Sequence, residues 1–498
     1  MSRLRWGLGG ALLLTLIVYS RLVFSYFCGF DDFTNQYRAA FEDSPKPSVV
    51  LTTTHFGSPK YRPVSRGVVL LCYWLTPDSA LAHRLRNLLS HLFAVAFVFA
   101  IAKRLGANQS EATFAATLFG LHPLAHQSTA AAIFGVNFAY AFALAALWMF
   151  LSAYESTGKR LILLLGGSAI CACMALLTYE AAIAVFAMYG VFLLWQWVRK
   201  RPPAAGFVPF GVALVLSQAL PLAVFFGTRM LFVAERMPLI SAKIIAKNVA
   251  LFASALVLPV DLLLLNSLIG SPLPSELLGD REALLGFAVA GFIAVSLIAV
   301  YFIRSSEARR RARDLPWWTF IFLVSGIAFS LAPFLFFTDH ASETYTYLPA
   351  AFWSIVVAIG ISRVAGPGSA GRVLIVAILL LAGAAAWMRT ERVRHCAAVA
   401  DRIVSSVPAE TWTSGAKVLF ADAPGIIPLN KFGLYNYRGL ATIDLADHML
   451  EPLEDAFRLR FHKAEIKATI VSTEQMTSSC TQTDPCFFVD AEGNVSHR

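Results

Sequence analysis

Apolar runs long enough to cross a lipid bilayer recur along most of this 498-residue chain. A span needs roughly 18 or more mostly apolar residues. Because lipid offers backbone groups no partners, only helices or closed barrels can cross it, and the short alternating segments of barrel strands are not seen. We therefore expect a polytopic membrane protein with eleven helices, near residues 7–27, 81–103, 110–122, 136–154, 160–178, 180–199, 206–227, 283–303, 317–337, 347–363 and 372–388.

The charge pattern supports this arrangement. Charged residues make up only 14% of the chain, whereas soluble domains carry nearer a quarter. The basic residues behind the net charge of +10 cluster in short loops, which indicates membrane orientation rather than nucleic-acid binding. The positive-inside rule predicts a cytoplasmic N-terminus and an extracytoplasmic C-terminus, because all these clusters fall on one side: Arg3 and Arg5, Lys103 and Arg104, Lys159 and Arg160, 199–201, 304–313, Arg363 and Arg372.

The N-terminus also resembles a signal peptide, since two arginines precede its apolar stretch. That stretch is long, however, and no small-x-small cleavage site follows it. We interpret it as a retained first span.

Three regions do not fit simple spans. Residues 28–80 form a first external loop that is too polar to cross the membrane, and residues 228–282 form a second external region. The second is partly apolar, and a re-entrant or interfacial pair broken near Pro259 keeps every later loop on its expected side. Residues 1–388 thus form the membrane domain.

Residues 389–498 are predicted to form a small extracytoplasmic α/β domain. "KVLFADAP" and "ATIVST" have strand composition, and "LEPLEDAFRLRF" has a helical pattern. Cys480 and Cys486 flank a proline in this region and could form a small disulfide loop, which requires an oxidising compartment.

Polar residues of catalytic types collect on the predicted external side. Asp31 and Asp32 follow the first span directly, although they could also cap the helix predicted to begin there. Glu180 ends a span, at a depth where ionisable groups are costly and usually functional. The remaining candidates are Arg62, Arg84, Asn87, His91, His122, Arg229, Arg236, Glu343, Tyr345 and Tyr347.

Each of these candidates has a simpler explanation. A basic residue near a span end can extend to the lipid headgroups, and a lone helical histidine such as His91 is more often a packing residue. Together they indicate specific chemistry: a carboxylate suits a general base, and arginines bind phosphate through two hydrogen bonds. Amphipathic external segments suit a lipid-linked substrate. The acids and histidines could hold a divalent cation, but no ligand spacing predicts a metal site.

Seven motifs in order strengthen this interpretation: "FDDFTNQ", "YRPVS", "NLLSH", "LHPLAHQ", "TYEAA", "LPVDLLLLN" and "ETYTYLP". Over residues 5 to 390 their order resembles that of the GT-C superfamily of membrane glycosyltransferases. Within it, the chain is most similar to the O-mannosyltransferase-like group that includes the transmembrane and tetratricopeptide-repeat proteins, and to bacterial relatives lacking the repeats. The resemblance implies a GT-C-like fold of many transmembrane helices, catalysis in the first external loop and a polyprenyl-phosphate sugar donor.

The resemblance also implies roles for individual residues. The family's acidic pair falls on Asp31 and Asp32, with the first acid as the base, and the remaining matches are Arg62, Asn87, His91, His122, Glu180, Glu343, Tyr345 and Tyr347. Thr344 stands where an arginine is usual, so a phosphate ligand would have to come from Arg229, Arg236 or Arg84. Tyr179 stands where the family has a lysine before the acid.

These patterns predict an inverting glycosyltransferase in a bacterial inner (plasma) membrane. It would move a sugar from the lipid-phosphate donor to a hydroxyl of a glycan, lipid or protein acceptor on the extracytoplasmic face. A flippase or polymerase of lipid-linked saccharides is the alternative, although transporters more often show inverted repeats and charges at mid-membrane. A non-catalytic scaffold would leave the polar cluster unexplained.

Overall fold

The structure is a computed structural model that describes most of the membrane domain and the framework of the C-terminal domain. The described residues are 2–27, 32–53, 60–133, 135–232, 241–257, 296, 305–313, 315–336, 343–365, 369–408, 411, 417–422, 451–463, 465–470, 476, 485–489 and 494–497.

The described chain is predominantly helical. The helices are α1 (Ser2–Tyr19), α2 (Asp32–Arg38), α3 (Val49–Thr52), α4 (Pro63–Leu75), α5 (Leu81–Arg104), α6 (Gln109–Gly120), α7 (His126–Ala130), α8 (Val136–Tyr154), α9 (Gly158–Thr178), α10 (Ala184–Val198), α11 (Phe207–Phe232), α12 (Ala242–Val257), α13 (Ser306–Arg313), α14 (Trp317–Leu331), α15 (Tyr347–Ala365), α16 (Ser369–Ser406) and α17 (Glu451–Phe461). Short 3₁₀ segments extend several ends, and a π-helical segment, Ala39–Asp43, follows α2.

The predicted membrane architecture is confirmed. Eight helices within the described residues are long and apolar enough to cross a membrane, and α1 and α6 occupy two further predicted spans. The predicted span 283–303 lies outside the described residues, except for residue 296. The chain is therefore an integral membrane protein with a bundle of long apolar helices.

Small residues and a helix cap illustrate why the bundle closes in this way. Asn108 and Glu111 form a reciprocal capping box that starts α6. A Cβ at Gly120, near the end of α6, would lie only 2.1 Å from the Thr15 hydroxyl oxygen of α1. Close approach of this kind at small residues is how helices pack where no hydrophobic force drives them together.

The basic clusters meet at one end of the bundle, as the charge pattern predicts. Arg104 pairs with Glu155, and Arg363 binds Glu111, with Nε 2.9 Å from Oε1. The Tyr154 hydroxyl donates to the Arg201 carbonyl at 2.6 Å. The first loop lies at the other end, which we call the loop end. It comprises the described residues 20–27, 32–53, 60–87, 121–133, 135–140, 178–183, 332–336, 343–346 and 387–394.

The second predicted external region is described in part. Helix α11 continues to Phe232, and α12 packs at the loop end through Asn248, whose Nδ2 donates to the Leu335 carbonyl at 3.0 Å. Buried residues of α12 recur at helical spacing (Asn248, Leu251, Phe252, Ala255 and Leu256). The proposed break at Pro259 lies outside the described residues.

The C-terminal domain has the predicted α/β character. Four strands lie among its described residues, β1 (Lys417–Asp422), β2 (Lys467–Ile470), β3 (Cys486–Val489) and β4 (Val495–His497), in the order β2-β1-β3-β4. Strand β1 is parallel to both neighbours, and β4 is antiparallel to β3. Helix α17 packs on this sheet, with the rings of Phe420 and Phe457 5.3 Å apart.

The two domains are joined by a continuous helix. Helix α16 passes through the predicted domain boundary at residues 388 and 389 and ends at Ser406. Its last turns bury Val399, Ile403 and Val404 in one hydrophobic cluster with Phe33 of α2 and Phe420 of β1. The C-terminal domain therefore packs directly on the first loop.

Candidate active site

A two-point ion pair between Arg62 and Glu180 is the central feature of the loop end. Arg62 Nε lies 2.7 Å from Glu180 Oε2, and Nη2 lies 2.6 Å from Oε1. Arg62 precedes Pro63, which starts α4, while Glu180 starts a 3₁₀ segment directly after α9. The two side chains are 11% and 27% exposed, so the pair is sheltered but open to one side.

Aromatic rings line this pair. The Arg62 guanidinium carbon lies 4.5 Å above the ring of Tyr179, an attractive cation–π arrangement. Tyr179 stacks on Phe334 at 6.2 Å, and Phe334 stacks on Tyr345 at 4.1 Å. Tyr140 meets Tyr179 edge to face at 5.8 Å. The structure thus brings together three predicted site residues from distant parts of the sequence, namely Arg62, Glu180 and Tyr345.

The chemistry of Arg62 follows from how Glu180 binds it. Burial by itself would lower the pKa of the Arg62 guanidinium, but the Glu180 carboxylate outweighs this effect, and the pKa is raised. A guanidinium has five N–H donors, and Glu180 uses one on Nε and one on Nη2. Among the described residues no acceptor takes the other three, so these donors of the guanidinium are not used by the protein.

Asp32 binds the backbone of the connection between α7 and α8. Its side chain is 1% exposed, and its two oxygens accept from the Ile133 N–H at 2.9 Å and the Ala132 N–H at 3.3 Å. Both oxygens of this carboxylate are therefore occupied by the protein. Asp31 lies outside the described residues.

Arg86 and Asn87 hold the same connection from its carbonyl side. Asn87 Nδ2 donates to the carbonyls of Ala131 and Ala132 at 2.6 and 3.0 Å. Arg86 Nη2 donates to the Ala132 and Ile133 carbonyls at 2.9 and 3.2 Å. Asn87, a predicted site residue, is fully buried, and its side-chain amide donates to backbone carbonyls.

His91 links three helices of the bundle. Its Nε2 donates to the Gly120 carbonyl at 3.1 Å, since that oxygen can only accept, and its Nδ1 therefore accepts from the Tyr347 hydroxyl at 2.7 Å. Both side chains are fully buried. His122 accepts the Leu124 N–H at its Nδ1, 3.2 Å away, and caps a 3₁₀ segment. The contacts of His91, Tyr347 and His122 are all with protein groups. This agrees with the simpler explanation given for His91, that it is a packing residue.

The other arginines predicted to bind phosphate lie in different surroundings. Arg84 is 2% exposed and donates to the carbonyls of Ala130 and Tyr26, the latter at 2.8 Å. Arg229 lies in the last turn of α11, its guanidinium carbon 5.5 Å from the ring centre of Phe225. Arg236 and the side chain of Glu343 lie outside what the structure describes.

Sequence reasoning missed two features of the loop end. Asp43 and Arg66 form an ion pair that is 0% and 3% exposed, with Arg66 Nε 3.2 Å from Oδ2; it joins the π-helical segment to α4. The hydroxyl of Tyr140 is buried without a hydrogen-bond partner among the described residues. Neither feature has a local sequence signal, because both the pairing of Asp43 with Arg66 and the burial of the Tyr140 hydroxyl depend on how distant segments pack together.

Among the described residues, no three histidines, cysteines or acids are grouped as metal ligands. Cys486 forms a disulfide, and the structure does not describe the side chain of its partner. The predicted Cys480–Cys486 pairing stays a prediction.

Comparisons with known proteins give structural neighbours only. No protein-family model and no curated protein matches the sequence. ArnT from Cupriavidus metallidurans in the apo state is 15% identical and covers 97% of this chain and 92% of its own, with a TM-score of 0.40. Its crystal structure bound to undecaprenyl phosphate gives the same identity and coverage and a TM-score of 0.37. The archaeal oligosaccharyltransferase AglB from Archaeoglobus fulgidus, in complex with an inhibitory peptide and a dolichol-phosphate, is 11% identical; the alignment covers 84% of this chain and 62% of AglB, with a TM-score of 0.40.

Proposed function

We propose that the protein is a glycosyltransferase that moves a sugar from a polyprenyl-phosphate donor to an acceptor hydroxyl, with inversion at the sugar carbon. The observation that carries the proposal is the Arg62–Glu180 pair, lined by Tyr179 and Tyr345 and placed at the same end of the bundle as Asp32 of the first loop. The order of sequence motifs supports it. The site would act at the membrane surface, where a lipid-linked donor presents its phosphate.

The proposal places the loop end outside the cell membrane. The basic residues of the opposite end, such as Arg104, Arg201 and Arg363, favour the cytoplasmic side. The disulfide at Cys486 supports an oxidising compartment for the C-terminal domain. We infer a bacterial inner membrane, with a cytoplasmic N-terminus and an extracytoplasmic C-terminus.

Within the acidic pair, we assign the base to Asp31. The Asp32 carboxylate is buried, and its two oxygens already accept backbone N–H groups, so an acceptor hydroxyl has poor access to it. In the proposed step, the acceptor hydroxyl gives its proton to Asp31 and its oxygen bonds to the anomeric carbon. The bond between that carbon and the phosphate oxygen breaks, and its electron pair leaves with the lipid phosphate.

Arg62 is proposed to stabilise the departing phosphate. Glu180 holds one edge of the guanidinium, and the remaining donors are preorganised toward a ligand, so they stabilise developing negative charge without rearranging. Glu180 is then a positioning residue and Tyr179 supports the guanidinium face. Arg229 and Arg236 stay candidates for a second phosphate contact, whereas the Arg84 guanidinium is buried against backbone carbonyls.

The decisive test is sugar transfer by the purified protein, supplied with polyprenyl-phosphate sugars and a panel of glycan, lipid and peptide acceptors. We expect transfer by the native protein and a loss of 10²-fold or more in D31N, the range expected for a missing general base. Full activity in D31N would overturn the mechanism. If the donor crosses a vesicle membrane but no sugar is transferred, the protein is a flippase and the proposed function is wrong.

A further inference from the structure

Helix α2, which begins at Asp32, is held on one face by the helix bundle. Asp32 and Gln36 are four residues apart and therefore lie one above the other on the helix. Asp32 accepts the Ile133 N–H, as described above. The Gln36 Nε2 donates to the Pro77 carbonyl at 3.1 Å, and its Oε1 lies 2.9 Å from His83 Nε2. This face is polar, and its hydrogen bonds fix α2 to the bundle.

The neighbouring face of α2 packs against the C-terminal domain. Phe33 and Tyr37 are also four residues apart. Phe33 is fully buried in the hydrophobic cluster that contains Phe420 and Phe457. The ring of Tyr37 lies beside Arg458 of α17, with the guanidinium carbon 5.3 Å from the ring centre. The C-terminal domain thus shares this second face with Tyr26 and Phe27, whose rings lie 5.9 and 5.8 Å from that of Phe33.

Arg458 is anchored within its own domain. It bonds Glu454 at 2.8 Å and Asp455 at 3.2 Å on α17, and its Nε donates to the Ile466 carbonyl at 3.2 Å, just before β2. Its side chain is 20% exposed. The guanidinium is therefore fixed in place when its face meets Tyr37, which reduces the entropy lost in forming the cation–π contact.

The length of α2 makes this support necessary. Helix α2 has seven residues and the π-helical segment that continues it has five, which is still short for a stable isolated helix, so the stability has to come largely from tertiary packing. The last turns of α16 lie in the same hydrophobic cluster as Phe33 of α2 and Phe420 of β1. The C-terminal domain therefore packs on α2 next to the helix that leads into the domain.

We propose that the C-terminal domain clamps α2, which begins with Asp32, against the bundle, and that Arg458 is a positioning residue for sugar transfer. The clamp is a property of the fold. Only its effect on transfer rests on the proposed function. Catalytic groups have to be held within about 0.5 Å of their productive geometry. A helix that is anchored on one face alone would not be held that precisely.

Hydrogen exchange on the full-length protein tests the clamp without any assay of activity. We expect R458A to speed amide exchange in residues 33–38 by about 3- to 30-fold, the range that corresponds to the loss of one cation–π contact. Y37A should have the same effect, and Y37F, which keeps the ring, should behave like the native protein. R460A is the matched control, since Arg460 lies on the same helix but is exposed, and it should leave exchange in α2 unchanged.

Kinetics then test the positioning role. We expect R458A to lower kcat about tenfold with little change in KM for the lipid donor, because donor binding is assigned to Arg62; R458K should recover part of the loss. Unchanged exchange in both R458A and Y37A would overturn the clamp. Faster exchange with a native kcat would overturn the positioning role. If the native protein transfers no sugar, the proposed function fails, and exchange still decides the clamp.

Discussion

Arg62 and Glu180 form a two-point ion pair across 118 residues of sequence, with distances of 2.7 and 2.6 Å. The pair leaves one edge of the guanidinium without a protein acceptor among the described residues. An arginine that served only to neutralise Glu180 would not need an aromatic floor or an open side. This geometry suits the proposed role of Arg62 in binding the donor phosphate, and the first prediction tests that role.

Removing Arg62 should abolish transfer, and removing Glu180 should weaken it through Arg62. We expect R62A and R62K both to lose 10²-fold or more, because lysine cannot reproduce the two-edged geometry. E180Q should lose less, since the cation remains but is held by a neutral partner. Initial rates at saturating acceptor provide the measurement, with R460A as a control at an exposed arginine.

The same pair makes a stability prediction. Because Glu180 is about one quarter exposed, E180A should cost only about 1–2 kcal/mol of unfolding free energy, less than the 3–5 kcal/mol for breaking a fully buried pair. Thermal unfolding in detergent measures it. If R62A/E180A is no more stable than the sum of the single variants predicts, the two side chains are not coupled and the geometry described here is wrong.

Substitutions of the two acids of the first loop should differ in their effect on the stability of the protein. D32N replaces one accepting oxygen by an amide that faces a backbone N–H, so we expect a loss of about 1–3 kcal/mol. D31N is expected to stay near native stability while losing transfer. The contrary result, in which D31N unfolds early and D32N is stable but inactive, would exchange the two roles.

The sequence predicted the bundle well because membrane spans are set by length and hydrophobicity, which are local properties. The same patterns placed the polar residues at one end, since loop parity follows from counting spans. The end of α16 could not be predicted in this way. Its apolar run stops near residue 388, but a helix can leave the membrane and continue, and Val399 and Ile403 become buried only because the C-terminal domain packs against them.

The candidate site was predicted in part. Arg62, Glu180 and Tyr345 do converge, whereas Asn87, His91 and Tyr347 contact other protein groups. Residue type alone cannot distinguish these cases, because a buried histidine and a substrate-binding histidine look alike in a sequence. Which one a residue becomes depends on whether the fold supplies a partner.

His91 and Tyr347 should therefore behave as structural residues. Y347F leaves the His91 Nδ1 without its donor, and we expect a loss of about 1–2 kcal/mol in unfolding free energy. The KM values should not change, since neither side chain is exposed. A raised KM at unchanged stability would return His91 to the substrate site.

The buried pair in the first loop should be more sensitive than the pair at Glu180. Asp43 and Arg66 are almost fully buried, so D43N should cost about 3–5 kcal/mol by leaving an uncompensated charge. The loss should be local, since the pair joins the π-helical segment to α4. Hydrogen exchange in residues 39–53 measures it, and exchange that rises equally throughout the chain would show a global rather than local role.

Single cysteines at the two ends of the bundle test the orientation. Lys46 lies in the first loop and Lys159 near the start of α9, and both are exposed. A membrane-impermeant maleimide should label K46C in cells whose inner membrane is intact, and K159C only after that membrane is made permeable, because the basic residues at the Lys159 end favour the cytoplasm. Labelling of the unsubstituted protein gives the background from its native cysteines. If both positions react before permeabilisation, or only K159C does, the loop end does not face outward, and a donor presented from outside could not reach Arg62.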